Sequence, residues 1–403
     1  MNSIELIAFM LTSLIVLLLM RVPLHVVLAV VIVVSMLLYG GLETLWSVFS
    51  EVLSDGTTWG LVASVFAVSW LVSLYTMSGV VYRLGENLSK LFRSSLLSMT
   101  MVPGLIGLLP VPGGALMSAP IVDSLGSRMG LSRGRRLFVN VWYRHVIVYV
   151  YPLSSVVILA SAVTSVNLWL LVLSQVPIAV FMFLVGLPLA GLKPERIVGG
   201  ISWGLLARDF APIALAIVFA LILAPLDVLL GAERVSVAVG VLLSIAAFIF
   251  IHKVKAAHVV RSLGDRRIYE IAVISVEIMA FRAFFLSIDL GPIVGVLKSA
   301  GVDGPLLAMV LPIFFSTISG HPTAGIAIAA PIVESALGVS SNTAFLIYAS
   351  AFIGYIASPL HLCYIYTAQY YNTSIIEGYK YMVPATIASL IAAFIVFGGL
   401  SYP

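Results

Sequence analysis

Two short stretches place proline, glycine and polar residues in the middle of otherwise apolar runs. The first is Leu109-Pro110-Val111-Pro112-Gly113-Gly114 and the second is Ser319-Gly320-His321-Pro322-Thr323. Proline removes a helix donor and glycine loosens the backbone, so both runs predict a helix broken at its centre. A broken helix frees N–H groups at the start of one half, which attract anions, and carbonyls at the end of the other, which suit a cation. At the first tip, Pro112, Gly113 and Gly114 would let a ligand approach the backbone. At the second, Ser319, Gly320, His321 and Thr323 would add hydroxyls and an imidazole. Small residues also let membrane helices pack tightly, and that alternative stays open.

A second constellation follows each tip. Arg144 and His145 precede Pro152 and Ser154 in one apolar run, and His361 follows Pro359 in another; each run reads as a span broken at its proline. A charged residue inside a membrane span costs at least about 2.5 kcal/mol and therefore faces the protein interior. Alternatively, Arg144 snorkels to the interface. Asp123 and Glu334 occupy matching places beyond the two tips and read as caps or exposed acids as readily as ligands. Glu277 and Arg282 share one run and read as an internal pair or a gate contact as readily as residues that serve stability alone.

Other chemistry is missing. The sequence has no His-Glu-x-x-His zinc motif, nucleotide-binding Gly-x-x-x-x-Gly-Lys loop or Gly-x-Ser-x-Gly elbow. Cys363 is the single cysteine, and no ligand-spaced Cys/His cluster is visible. An intramembrane enzyme could draw a base from His145, His321 or His361, but no partner nucleophile is apparent. The expectation is no enzyme, no organic cofactor and no bound metal, save Na⁺ or H⁺ as a coupling ion.

The elements that must position these residues are set by composition. The chain has 403 residues, 61% hydrophobic and 9% charged; a soluble domain carries about 25% charged residues. Such a chain belongs in lipid. Ten spans are predicted, near 4–20, 24–42, 57–80, 137–161, 166–190, 209–230, 234–252, 268–288, 342–371 and 382–400, with re-entrant hairpins at 96–127 and 305–338. Glu5 precedes the first run and Arg21 follows it, the wrong order for a signal peptide, so it reads as a span. If each hairpin returns to its own side, one face collects most of the 21 Lys and Arg, while the other collects only Arg234 and Lys298. The rich face is then cytoplasmic and both termini lie outside. The net charge of +4 is accounted for by these loops and does not point to nucleic acid.

An internal repeat underlies this pattern. Ala119-Pro120-Ile121-Val122-Asp123-Ser124 matches Ala330-Pro331-Ile332-Val333-Glu334-Ser335, and Pro103, Pro152 and Pro177 recur as Pro312, Pro359 and Pro384. The expected units are residues 1–200 and 205–403, each with five spans and one hairpin. An odd number of crossings inserts the second unit upside down. Inverted repeats with broken helices meeting at the midplane are an architecture of secondary transporters. An ion-coupled carrier of a small anionic solute is the leading expectation, and an uncoupled channel or facilitator the alternative.

Pro110-Val111-Pro112-Gly113-Gly114-Ala115, Ser118-Ala119-Pro120, and Asn140-Val141-Trp142-Tyr143-Arg144-His145 leading to Tyr151-Pro152 resemble the domain-of-unknown-function 401 family of integral membrane proteins. The resemblance covers nearly the whole chain and implies membership of the ion transporter superfamily, beside gluconate permeases, dicarboxylate carriers and citrate–metal symporters. It implies a scaffold, a mobile transport domain carrying both hairpins, elevator-type alternating access, and a homodimer; it implies no substrate. Sodium-coupled dicarboxylate carriers of that superfamily carry Ser-Asn-Thr at their tips. Here Ser341-Asn342-Thr343 lies beyond the second hairpin, so that role is not carried over.

Overall fold

The computed structural model describes residues 3–108, 114–196, 202–288, 299, 304–337 and 340–399. Among them all regular elements are helical, apart from an isolated bridge between Ser94 and Arg196. Six helices are long and apolar enough to cross a membrane: Leu24–Ser54, Gly56–Met77, Leu168–Ala190, Trp203–Ile222, Val235–His252 and Ile375–Gly398.

The first apolar run forms α1 (Ser3–Leu19). Helix α2 (Leu24–Ser54) continues well past the predicted end at residue 42. It is two helical arms joined at Gly40–Gly41, where Gly41 takes φ +68°, a conformation glycine adopts without penalty. Asp55 then starts α3 (Gly56–Met77), its carboxylate accepting the N–H groups of Thr57 and Thr58 at 3.0 and 3.1 Å. A short α4 (Val80–Ser89) leads to α5 (Ser95–Gly107) and α6 (Gly114–Arg128), which flank the first predicted tip. The span predicted at 137–161 is divided into α7 (Arg133–Val148) and α8 (Ser155–Val163), and α9 (Leu168–Ala190) follows.

The second part contains α10 (Trp203–Ile222), α11 (Pro225–Leu230), α12 (Val235–His252), α13 (Ala256–Leu263) and α14 (Arg266–Ser287). The run predicted as one span at 209–230 ends at Ile222, and Pro225, at the first position of α11, starts a new helix. Helices α15 (Gly304–Ser319) and α16 (Pro322–Leu337) flank the second tip. The run at 342–371 is divided into α17 (Ser341–Ile356) and α18 (Leu362–Tyr370). Helix α19 (Ile375–Ala393) closes with a π-helical turn, Phe394–Gly398.

Helix packing sorts these elements into two groups. Helix α14 packs on α2 and α3, α12 on α3 and α10, and α1 on α2. The other group is built from α5–α9 and α15–α19, and its contacts come in matching sets. Helices α5, α6 and α7 pack on one another, as do α15, α16 and α17. Helix α6 packs on α18, the second half of the second divided span; α16 packs on α8, the second half of the first. The groups meet where α3 touches α8, where α14 touches α8 and α16, and where α1 touches α15.

Candidate functional site

The second tip is tightly specified. Helix α15 ends at Ser319, and Gly320 turns the chain with φ +67°. A Cβ at Gly320 would lie 2.6 Å from the Leu360 carbonyl oxygen, so the tip presses its backbone against the break between α17 and α18. Ser358 in that break donates its hydroxyl to the Thr317 carbonyl at 2.6 Å. Pro322 then opens α16. His321 caps it, its Nδ1 accepting the Thr323 N–H at 3.2 Å. Because Nδ1 accepts, the hydrogen of the neutral ring sits on Nε2. The Ser319 hydroxyl donates to the Phe315 carbonyl at 2.7 Å and accepts the His321 N–H at 3.3 Å.

This tip lines a cavity of about 590 Å³. Ser319, Gly320, His321 and Thr323 form one wall with Leu360 and Leu362. The α1–α2 turn (Arg21 to Leu24) and α14 (Arg267, Glu270, Ile271 and Ile274) form the other. Three charged residues line the cavity. Glu270 is paired with Arg266 at 2.8 Å, which leaves Arg21 and Arg267 to set the sign of the field.

From His321 a run of rings leads inward. Its ring lies 6.0 Å from that of Tyr355, which lies 4.1 Å from His361, which lies 4.6 Å from His145. Both inner imidazoles are buried. His145 Nδ1 is 2.7 Å from the Val141 carbonyl, and His361 Nδ1 is 3.2 Å from that of Ile356. Carbonyls only accept, so both Nδ1 atoms carry hydrogen and each Nε2 keeps its lone pair. Among the described residues, His361 Nε2 has no partner. Arg144, 5% exposed, does not snorkel to water, and its Nη1 also lacks a partner among the described residues.

The first break spans Tyr149 to Ser154. Pro152 lies in its turn and buried Ser154 precedes α8. Its free carbonyl at Tyr149 accepts the Tyr348 hydroxyl at 2.6 Å, a bond from the second divided span to the first. Asn140, missed by sequence reasoning, fastens the start of α6: it accepts the Ser118 hydroxyl at 2.7 Å and donates to the Ala115 carbonyl at 2.9 Å and to Thr367 at 3.3 Å. Its signal in the sequence was its place at the head of the Asn140–His145 stretch that carries the family resemblance.

Of the remaining candidates, Pro112 and Gly113 lie outside the described residues, and Gly114 is the first residue of α6. Pro359 lies in the turn between α17 and α18. Asp123 pairs with Arg136, and Glu334 with Arg282 at 2.7 Å. The expected Glu277–Arg282 pair does not form, because five residues rotate a side chain about 140° around a helix; Glu277 Oε2 is buried without a partner among the described residues. The sequence also showed no ligand-spaced Cys/His cluster, yet the fold brings ligand atoms of His145, His361 and Cys363 within 4.8 Å of one another.

The sequence pattern of proteins of unknown function called DUF401 matches residues 3–400. The chain belongs to the DUF401 family. No match is found among curated protein sequences. Among solved structures, the crystal structure of the Alcanivorax borkumensis YdaH transporter is similar to this DUF401 chain. The match has a TM-score of 0.61 at 12% identity and covers 91% of this chain and 90% of that one. At that identity the likeness is one of fold. This DUF401 protein is thus an all-α, multi-pass membrane protein with the fold of a membrane transporter.

Proposed function

We propose that this protein is a secondary transporter that moves a small anionic solute, coupled to Na⁺ or H⁺, by alternating access of elevator type. The observation that carries the proposal is the cavity between the second tip and α14, because it joins a broken helix to the contact of two packing groups. The group α5–α9 with α15–α19 would move as the transport domain, and the group built on α1–α3, α10, α12 and α14 would serve as the scaffold. The cross-packing of α6 on α18 and α16 on α8 supports an inverted repeat, since each relation has its counterpart. With Arg21 and Arg267 on the cytoplasmic face, as the charge bias of the loops requires, the cavity opens inward. A homodimer joined through the scaffold would hold that group still.

The anionic character of the solute rests on two features. Arg21 and Arg267 outweigh Glu270, which already has a partner. The start of α16 also lies at the cavity wall, through His321 and Thr323, where helix N–H groups favour negative charge. The test begins with thermal stability of the purified protein against carboxylates, oxyanions and sugar acids, with and without Na⁺, since a bound ligand stabilises the folded state. The stabilising solute is then followed into proteoliposomes. Accumulation that collapses when the ion gradient is dissipated supports coupled transport. Flux indifferent to the gradient would make the protein an uncoupled facilitator, and no flux would refute the proposal.

A further inference from the structure

We infer that His145, His361 and Cys363 form a binding site for a soft monovalent metal ion, copper(I), at the crossing of the two divided spans. The inference is independent of whether the chain transports an anion.

The three residues come from two places in the sequence and meet only in the fold. His145 lies near the end of α7, one turn before the first break. His361 closes the second break and Cys363 stands in the first turn of α18. Their ligand atoms lie within 4.8 Å of one another. The backbone fixes both imidazoles in the tautomer a metal needs. Each Nδ1–H is given to a carbonyl, Val141 for His145 and Ile356 for His361, an arrangement that orients metal-binding imidazoles generally. Each Nε2 is thereby left as a lone-pair donor. His361 Nε2 is buried with no partner among the described residues, a state that costs free energy unless a hydrogen-bond donor or a metal ion satisfies it. The two imidazole rings lie 4.6 Å apart, centroid to centroid, at 83° to each other.

The ligand set and local charge choose the ion. Two imidazoles and a thiolate suit both copper and zinc. Buried Arg144 acts electrostatically on both imidazoles and contributes a fixed positive charge. With a thiolate present, copper(I) leaves the cluster with one net positive charge and zinc(II) leaves two, and buried uncompensated charge is costly. Thiolate ligation selects the softer ion as well. A three-coordinate ion draws its ligand atoms to roughly 3.5–4 Å of one another. Cys363 is half-buried and stands in the first turn of its helix, two residues from His361. Leu360 and Leu362, the sequence neighbours of buried His361, line the 590 Å³ cavity, so the cluster lies one residue behind its wall.

Cys363 is the only cysteine of the chain, so its alkylation reports the site directly. The full-length protein, purified in detergent, is titrated anaerobically with copper(I) buffered by bicinchoninate, and the rate of maleimide labelling is followed. One equivalent of copper(I) is expected to slow labelling at least about tenfold and to be retained against the chelator. His361→Gln and His145→Gln are expected to weaken copper retention by at least about tenfold. Their folding is checked by gel filtration and thermal melting. An unchanged labelling rate in the unmodified protein at one equivalent of copper(I) would overturn the site. Protection by zinc(II) equal to that by copper(I) would overturn the assignment of the ion. A Cys363→Ser protein that retains copper as tightly would remove the thiolate from the set and overturn the proposal as stated.

Discussion

Arg282 on α14 grips Glu334 on α16 with two parallel bonds, Nη2 to Oε1 at 2.7 Å and Nε to Oε2 at 3.0 Å. The same guanidinium reaches Ser165 beyond α8 at 3.1 Å. One side chain thus ties α14 to both the second hairpin and the end of the first divided span. Each partner is about one-fifth exposed, at 19% and 20%, so the pair is neither a free surface pair nor fully buried. Arg282→Ala is expected to destabilise the protein by roughly 1–3 kcal/mol. In a double-mutant cycle with Glu334→Ala, the double variant should lose less than the sum of the singles. Additive losses in thermal melts would show that the pair carries no coupling.

Gly320 is needed on two counts: its φ is +67°, and a Cβ there would strike the Leu360 carbonyl. Gly320→Ala should lower stability by roughly 1–3 kcal/mol. Gly204→Ala is the matched control, since nothing lies within 4 Å of the Cβ it would add. Equal melting temperatures for the two variants would contradict the tip geometry.

His321 serves α16 through the lone pair of Nδ1. Asparagine supplies a side-chain acceptor of similar reach and ranks among the best N-caps, whereas alanine supplies none. His321→Ala should cost about 1 kcal/mol of stability, and His321→Asn should restore most of it. If both variants melt alike, the imidazole does not act as a cap.

Arg21 and Arg267 face the same cavity. Replacing either with glutamine should weaken binding of the anionic solute by about 3- to 10-fold, corresponding to roughly 1 kcal/mol for an exposed charge. Isothermal titration with the solute found in the stability screen measures this. The loss should shrink as salt is raised, because exposed charges are screened. Unchanged affinity in both variants would rule out the anion field proposed for the cavity.

The loop 252–267 should be cytoplasmic and the N-terminus external. Single cysteines introduced at residues 256–264 in a Cys363→Ser background should resist an impermeant maleimide in intact cells and react after permeabilisation. Labelling from outside would invert the topology.

The sequence alone determined the membrane setting, the positions of the two breaks and the family. These are local properties: an apolar run must lie in lipid, and a proline such as Pro152 or Pro359 cannot donate to a helix wherever it sits. The limits of local reading appear at Gly40–Gly41, where a kink extended α2 beyond its apolar run, and at Pro225, which divided one predicted span. Contacts between distant segments were not legible. Nothing near Glu334 in the chain names Arg282 as its partner, and the closer acid Glu277 points elsewhere around α14. His145 and Cys363 are 218 positions apart, and only the packing of the divided spans brings them together. The reason is physical: backbone preferences act over a few residues, whereas an ion pair, a cavity wall or a metal site is fixed by which helix faces meet, and that is decided by the packing of the whole bundle.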